Sequence, residues 1–209
     1  MAPSRRPDPL RRPPTNVHSR QLPLHHIDPA VDGTWTRLSG CEHPSALFYG
    51  RTGNSRFDDP DAAYGVLYVG MDIQCAFVQT FGDSTNANGE LELHEDELSK
   101  VCVAHIVFTH PLRLVDLTGP GVQAVGADGQ ICAGDDYPQT QEWSRAFWSH
   151  PERPDGIYYR ARHDLSRVSV AIFDRASEHV TERLSGSLAA DRNRHHRIAI
   201  LSTYRVNLL

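Results

Sequence analysis

The sequence predicts an α+β fold, a single domain in which a mixed β-sheet core carries helices on its faces, and three observations lead there. The chain has 209 residues, enough for one sizeable core and too few for two full domains. Its second half reads as short strands interrupted by a few amphipathic helices, without the regular strand and helix alternation of a doubly wound sheet. No G-x-G-x-x-G, Walker or G-x-S-x-G stretch occurs, which removes the commonest dinucleotide, nucleoside-triphosphate and serine-hydrolase readings.

Composition narrows the class further. The formal net charge is -5 with histidine neutral, so no overall basic field points to nucleic acid. No uninterrupted apolar run reaches the ~20 residues a membrane span needs. Cys41, Cys75, Cys102 and Cys132 show no C-x-x-C spacing, and three of them sit in apolar or strand-like surroundings. All four are expected as reduced, structural thiols. Arginine pairs near the start without an apolar segment are unlike a secretory signal, so a cytoplasmic address is expected.

Taken in order, residues 1–23 contain six prolines and five arginines with few apolar residues. That composition predicts a disordered basic tail, with the folded domain spanning residues 24–209. Thr34 to Leu38 alternates as a short strand carrying Arg37, which alone reads as an exposed arginine or as a fork for phosphate or carboxylate. Tyr64 to Gly70, bounded by Asp-Asp-Pro and Met-Asp, predicts a core strand. Asp72 then caps a helix that ends at Gly82, with Ile73, Ala76, Phe77, Thr80 and Phe81 on its apolar stripe. Gln79 falls off that stripe and flanks the core.

Residues 83–100 are polar and acidic, a loop followed by one helical turn at Asp96 to Lys100. Val101 to Phe108 and Leu112 to Leu117 predict two strands, the first central and containing His105 as a core residue. In Tyr137 to His150 the spacing of Trp143, Ala146, Phe147 and His150 predicts an amphipathic helix stopped by Pro151. Gly156 to Arg162 and Arg167 to Phe173 predict neighbouring strands. Ser177 to Ala190 reads as a weak helix, and Arg197 to Val206 as a last strand.

Seven blocks taken together resemble the RES domain family: WTR at 35–37, SRFDDP at 55–60, GVLYVGMD at 65–72, AFVQTFG at 76–82, LRLVDLTG at 112–119, YPQTQEW at 137–143 and DGIYYRARHD at 155–164. They stand in the family's order over most of the globular chain. The resemblance implies an ADP-ribosyltransferase-like fold and an intracellular toxin that consumes NAD as substrate, hydrolysing or phosphorolysing its nicotinamide–ribose bond, without a further cofactor or metal. It implies an Xre-like antitoxin as partner, contact with nucleic acid only through that partner, and leaves a homodimer open.

The family's Arg corresponds to Arg37, its Glu position to Gln79, and its Ser position to Ala161. Arg37 and Arg56 are then clamps for the pyrophosphate, Tyr68 an aromatic surface for nicotinamide or adenine, and Arg162 a further charge. Breaking an N-glycosidic bond builds positive charge on the ribose, which a carboxylate favours and an amide does not. The amide at 79 and the methyl at 161 therefore imply a slow or silent site. The alternatives are a module that binds NAD, ADP-ribose or a protein without turnover, and an enzyme that transfers ADP-ribose to a macromolecule.

Overall fold

The computed structural model describes residues 10–135 and 137–209. An eight-stranded sheet forms the core, built from β1 (Leu24–Ile27), β2 (Trp35–Gly40), β3 (Val66–Gly70), β5 (Val101–Phe108), β6 (Leu112–Leu117), β7 (Gly156–Ala161), β8 (Asp164–Phe173) and β9 (Val180–Ser187). Their order is β1-β6-β7-β8-β3-β2-β5-β9. Within this sheet, among the described residues, β6 and β7 run parallel and the other neighbours antiparallel. β4 (Glu92–Leu93) and β10 (Asn207–Leu208) form a separate small ladder. The helices are α1 (Pro29–Asp32), α2 (Ile73–Phe81), α3 (Glu95–Lys100), α4 (Pro120–Val125), α5 (Gln130–Ala133), α6 (Tyr137–Trp148) and α7 (Arg194–Tyr204). This is the α+β domain with a mixed sheet that the sequence predicts.

One irregularity in the sheet positions the site. β2 pairs with β5 from Trp35 to Gly40 and β3 pairs with β8 from Val66 to Gly70, but β2 and β3 meet only at Thr36 opposite Gly70. Beyond that pair the two strands part, and the sheet opens. Helix α2 lies over the opening. Its Asp72 Oδ1 accepts from the Cys75 amide at 2.8 Å, satisfying a donor that would otherwise be left over at the helix start. Glycine at 70 lets the helix sit close, because a Cβ there would come within 2.7 Å of the Ala76 nitrogen and 2.8 Å of the Cys75 Cβ. Ile73, Cys75, Ala76, Phe77, Val78 and Phe81 are buried, whereas Thr80 is exposed. The buried arc is thus rotated from the predicted stripe, and it turns Gln79 and Thr80 toward the opening.

Four expectations are corrected. The segment before β1 is docked from Leu10 onward: Leu10, Val17 and Leu22 are buried in the core cluster that contains Trp143 and Phe147, and Trp143 Nε1 donates to the Arg11 carbonyl at 2.7 Å. Three apolar anchors suffice where average composition reads as tail, and residues 1–9 lie outside the described residues. Cys41 and Cys102 are disulfide-bonded, with Cα atoms 5.0 Å apart. The register places Ser39 opposite Cys102, so the chain leaving β2 brings Cys41 alongside. Only Cys75 and Cys132 are the buried free thiols expected. Ser177 to Ala190 is mostly the strand β9, an edge strand where polar side chains face solvent. Arg197 to Val206 belongs mostly to α7, whose short apolar run Ile198 to Leu201 has no decisive period.

Candidate active site

The opening between β2 and β3 is a cleft of about 320 Å³, lined among others by Arg37, Arg56, Tyr68, Gln79, Tyr137, Tyr159, Arg162 and Ser169. That volume stands at the lower end of the ~300–1,000 Å³ usual for small-molecule sites. Of the sequence-derived candidates, Arg37, Arg56, Tyr68, Gln79 and Arg162 all reach it. Ala161 does not line it. Its side chain is buried in the cluster of Phe77, Phe81 and Leu98, so the serine position of the family falls in apolar packing here and the expected catalytic placement is corrected. The sheet register already separates it from the cleft residue Ser169, which stands opposite Tyr159 and Gly70.

Each arginine is held differently. Arg37 donates Nη1 to the Tyr68 carbonyl at 2.7 Å, across the gap where the strands have parted. Its Nε is buried and has no protein partner. Burial lowers its pKa, opposed by the nearby Tyr68 and Glu182, yet an arginine keeps its charge under such pressure. Arg56 is 7% exposed; its Nη1 donates to the Gly134 carbonyl at 2.8 Å, and the guanidinium lies 5.0 Å over the Tyr137 ring. That cation–π contact holds the plane of the fork. Arg162 Nη2 pairs with Asp135 Oδ1 at 2.6 Å, bridging the rim where Asp135 is solvent-exposed, an arrangement of small energetic weight.

Tyr68 is fixed at its far end. Its Oη donates to Asp58 Oδ1 at 3.0 Å and accepts from the Phe57 amide at 2.9 Å. Asp58 also takes Thr52 Oγ1 and the Ser55 amide, each at 3.2 Å. Burial, reinforced by the Asp58 charge, pushes the phenol well above its ordinary pKa, so Tyr68 is a neutral wall at physiological pH.

Gln79 forms the floor with two residues the sequence reading missed. Its Nε2 donates to Ser169 Oγ at 2.8 Å and to Tyr159 Oη at 3.1 Å. Tyr159 is buried and burial pushes its phenol far up. Tyr159 lies inside the block DGIYYRARHD, which could have marked it; Ser169 sits in the apolar strand run RVSVAIF, which marks no residue for the cleft. His163 Nε2 meets Asp83 Oδ1 at 3.3 Å near the mouth. The cleft therefore offers three guanidinium groups and the amides of Asn54 and Gln79, with Asp83 as the carboxylate among its lining residues. Among the described residues, no group of three or more His, Cys, Asp or Glu is arranged to hold a metal, and no helix is long and apolar enough to cross a membrane.

A sequence model of the RES domain family matches residues 23–193. The chain belongs to the RES domain family. This RES domain is 30% identical over 105 residues to a protein of Sinorhizobium fredii (strain NBRC 101917 / NGR234) named probable toxin y4kH, an alignment covering 50% of this chain and 82% of that one. Its fold is similar to a chain in the crystal structure of the M. tuberculosis MbcT–MbcA toxin–antitoxin complex, with a TM-score of 0.57 and 22% identity over 78% of this chain and 87% of that chain. At that identity the likeness speaks for the fold.

Proposed function

We propose that this RES domain is the toxin of a toxin–antitoxin pair, that it acts in the cytoplasm, and that its cleft binds NAD and cleaves the nicotinamide–ribose bond slowly. The observation that carries the reading is the convergence of Arg37, Arg56 and Arg162 with Tyr68 and Gln79 on one opening in the sheet. Two of the guanidinium groups are buried or half-buried, and one keeps a buried donor, Arg37 Nε, for which the protein supplies no acceptor. The parts of Arg37 and Arg56 that face the opening are charged donors of the kind that takes a pyrophosphate oxygen. The Tyr68 ring then faces a base, and the ribose lies over Gln79.

The toxin role draws on the relative named as a probable toxin and on the fold shared with a chain of a toxin–antitoxin complex. An Xre-type antitoxin is the partner proposed, with nucleic acid met through it. The slow rate follows from residue 79, where an amide stands in place of the charge that would stabilise a ribose cation. Binding without turnover is the second reading, and it rests on that same amide. Titrating the protein with NAD by calorimetry, while following nicotinamide release by chromatography, separates the two. The expected result is saturable binding that Arg37→Ala weakens by tenfold or more, as about 1.5–3 kcal/mol per charged hydrogen bond implies, with slow release. Absence of both binding and release in the native protein and in Gln79→Glu would remove NAD from the proposal.

A further inference from the structure

The cleft floor is tied together by two hydroxyls, those of Ser169 and Tyr159. Ser169 lies on β8, directly opposite Tyr159 on β7 and Gly70 on β3, and is 1% exposed. Its Oγ accepts one amide hydrogen of Gln79 at 2.8 Å and lies 3.1 Å from Cys75 Sγ. Tyr159 Oη accepts the other amide hydrogen at 3.1 Å. A primary amide has two donors and one acceptor group. With both donors committed to the wall, the carbonyl oxygen is the atom left for a ligand.

We infer that Ser169 is a positioning residue that, together with Tyr159, fixes the Gln79 amide so that its carbonyl oxygen accepts a hydrogen bond from a hydroxyl of the bound ribose. The inference rests on NAD binding for its ligand, but the fixing of the amide stands independently of it. Ser169 acts only through Gln79. The chemistry selects ligands with a donor at the ribose: a 2′-hydroxyl or 3′-hydroxyl donates to the carbonyl, and a deoxyribose analogue has one fewer donor to give.

Two measurements test this. In the ligand-free protein, the side-chain amide resonances of Gln79 are followed by 15N NMR. Ser169→Ala is expected to shift them and to speed their exchange with solvent, and unchanged resonances would overturn the inference whatever the ligand is. In the second, NAD affinity is measured for native protein, Ser169→Ala, Gln79→Ala and the double variant. Loss of one well-placed hydrogen bond predicts about fivefold weaker binding for Ser169→Ala, and no further loss when it is added to Gln79→Ala. Independent, multiplying losses would mean that Ser169 acts on the fold and not through Gln79. If the native protein does not bind NAD while the amide resonances respond as expected, the ligand assignment fails and the positioning role stands.

Discussion

Replacing Gln79 by Glu leaves the shape of the cleft floor and adds one negative charge. The two hydroxyls that now accept from the amide, Tyr159 Oη at 3.1 Å and Ser169 Oγ at 2.8 Å, each own a proton and can turn it toward a carboxylate. Cys75 Sγ keeps the Val168 carbonyl at 3.1 Å as its acceptor when Ser169 turns. No donor is stranded, so the variant is expected to fold with unchanged stability. The new carboxylate shares the cleft with Arg37, Arg56 and Arg162, and opposite charges hold it ionised at neutral pH.

The gain appears at the transition state. A preorganised group aimed at developing charge is worth about 3 kcal/mol, and each 1.36 kcal/mol is tenfold, so nicotinamide release is expected to rise by roughly two orders of magnitude. NAD affinity is expected to change less, because in the ground state the positive charge is spread over the nicotinamide ring and it moves onto the ribose only at the transition state. Release is followed by chromatography under single-turnover conditions, which separates chemistry from product departure. Ala161→Ser added to Gln79→Glu is expected to contribute little, since position 161 faces apolar packing. Equal release from the native and Gln79→Glu proteins at equal NAD occupancy would refute the placement of the reacting bond beside residue 79.

Other outcomes follow from the same geometry. Tyr68→Phe removes a donor to the buried Asp58 and the acceptor of the Phe57 amide, so its urea midpoint is expected to fall by the equivalent of about 1–3 kcal/mol. Reducing Cys41–Cys102, or replacing both by serine, opens a closure of 61 residues. The chain-entropy model assigns about 4 kcal/mol to such a loop, which corresponds to a melting point lower by roughly 10 °C in dithiothreitol. Tyr64, Tyr68 and Tyr159 are pushed well above the ordinary phenol range by burial, and Tyr49 to about 12. In the unfolded chain these groups lose protons near pH ~10, so the unfolded state binds fewer protons there and stability falls as pH rises from that point. Chemical denaturation across alkaline pH should show that loss, with little change in the neutral range from these four groups.

The sequence was informative wherever one feature decided an element. The run of Tyr64 to Gly70, the Asp72 cap and Gly82 were enough to place β3 and α2, because a β-branched stretch between turn residues and a capped apolar stripe each have one folded meaning. Val101 to Phe108 and the helix around Trp143 were legible for the same reason. Where two meanings compete locally, long-range pairing decides. VTERLSGS at 180–187 becomes a strand only because β5 offers an edge, and Ile198 to Leu201 helical only as part of α7. The Cys41–Cys102 pair depends on a register between β2 and β5 that no spacing reveals. The docked segment from Leu10 to Leu22 depends on three side chains whose pocket is made by α6, 120 and more residues later.

The candidate site divides in the same way. Residues that a motif carries to the cleft, Arg37, Arg56, Tyr68, Gln79 and Arg162, were legible as a set. Ser169 was not, because one hydroxyl in RVSVAIF looks like any strand residue until the register places it opposite Tyr159. The cleft itself is a property of pairing and not of any residue. β2 and β3 share a single pair at Thr36 and Gly70, after which each strand commits to its other neighbour. Extending the β2–β3 ladder by even two pairs would carry the Tyr68 carbonyl into a backbone hydrogen bond and release Arg37 Nη1 from it. The arginine is thus tied to the parted strands: its side chain satisfies the carbonyl that the missing ladder leaves open, and this fixes its charge beside the ligand space. A carbonyl at the equivalent point without that arginine would need water in its place, which is why Arg37→Ala is expected to loosen the lip of the cleft as well as weaken binding, visible as faster amide exchange at Tyr68 to Gly70 with exchange elsewhere in the sheet unchanged.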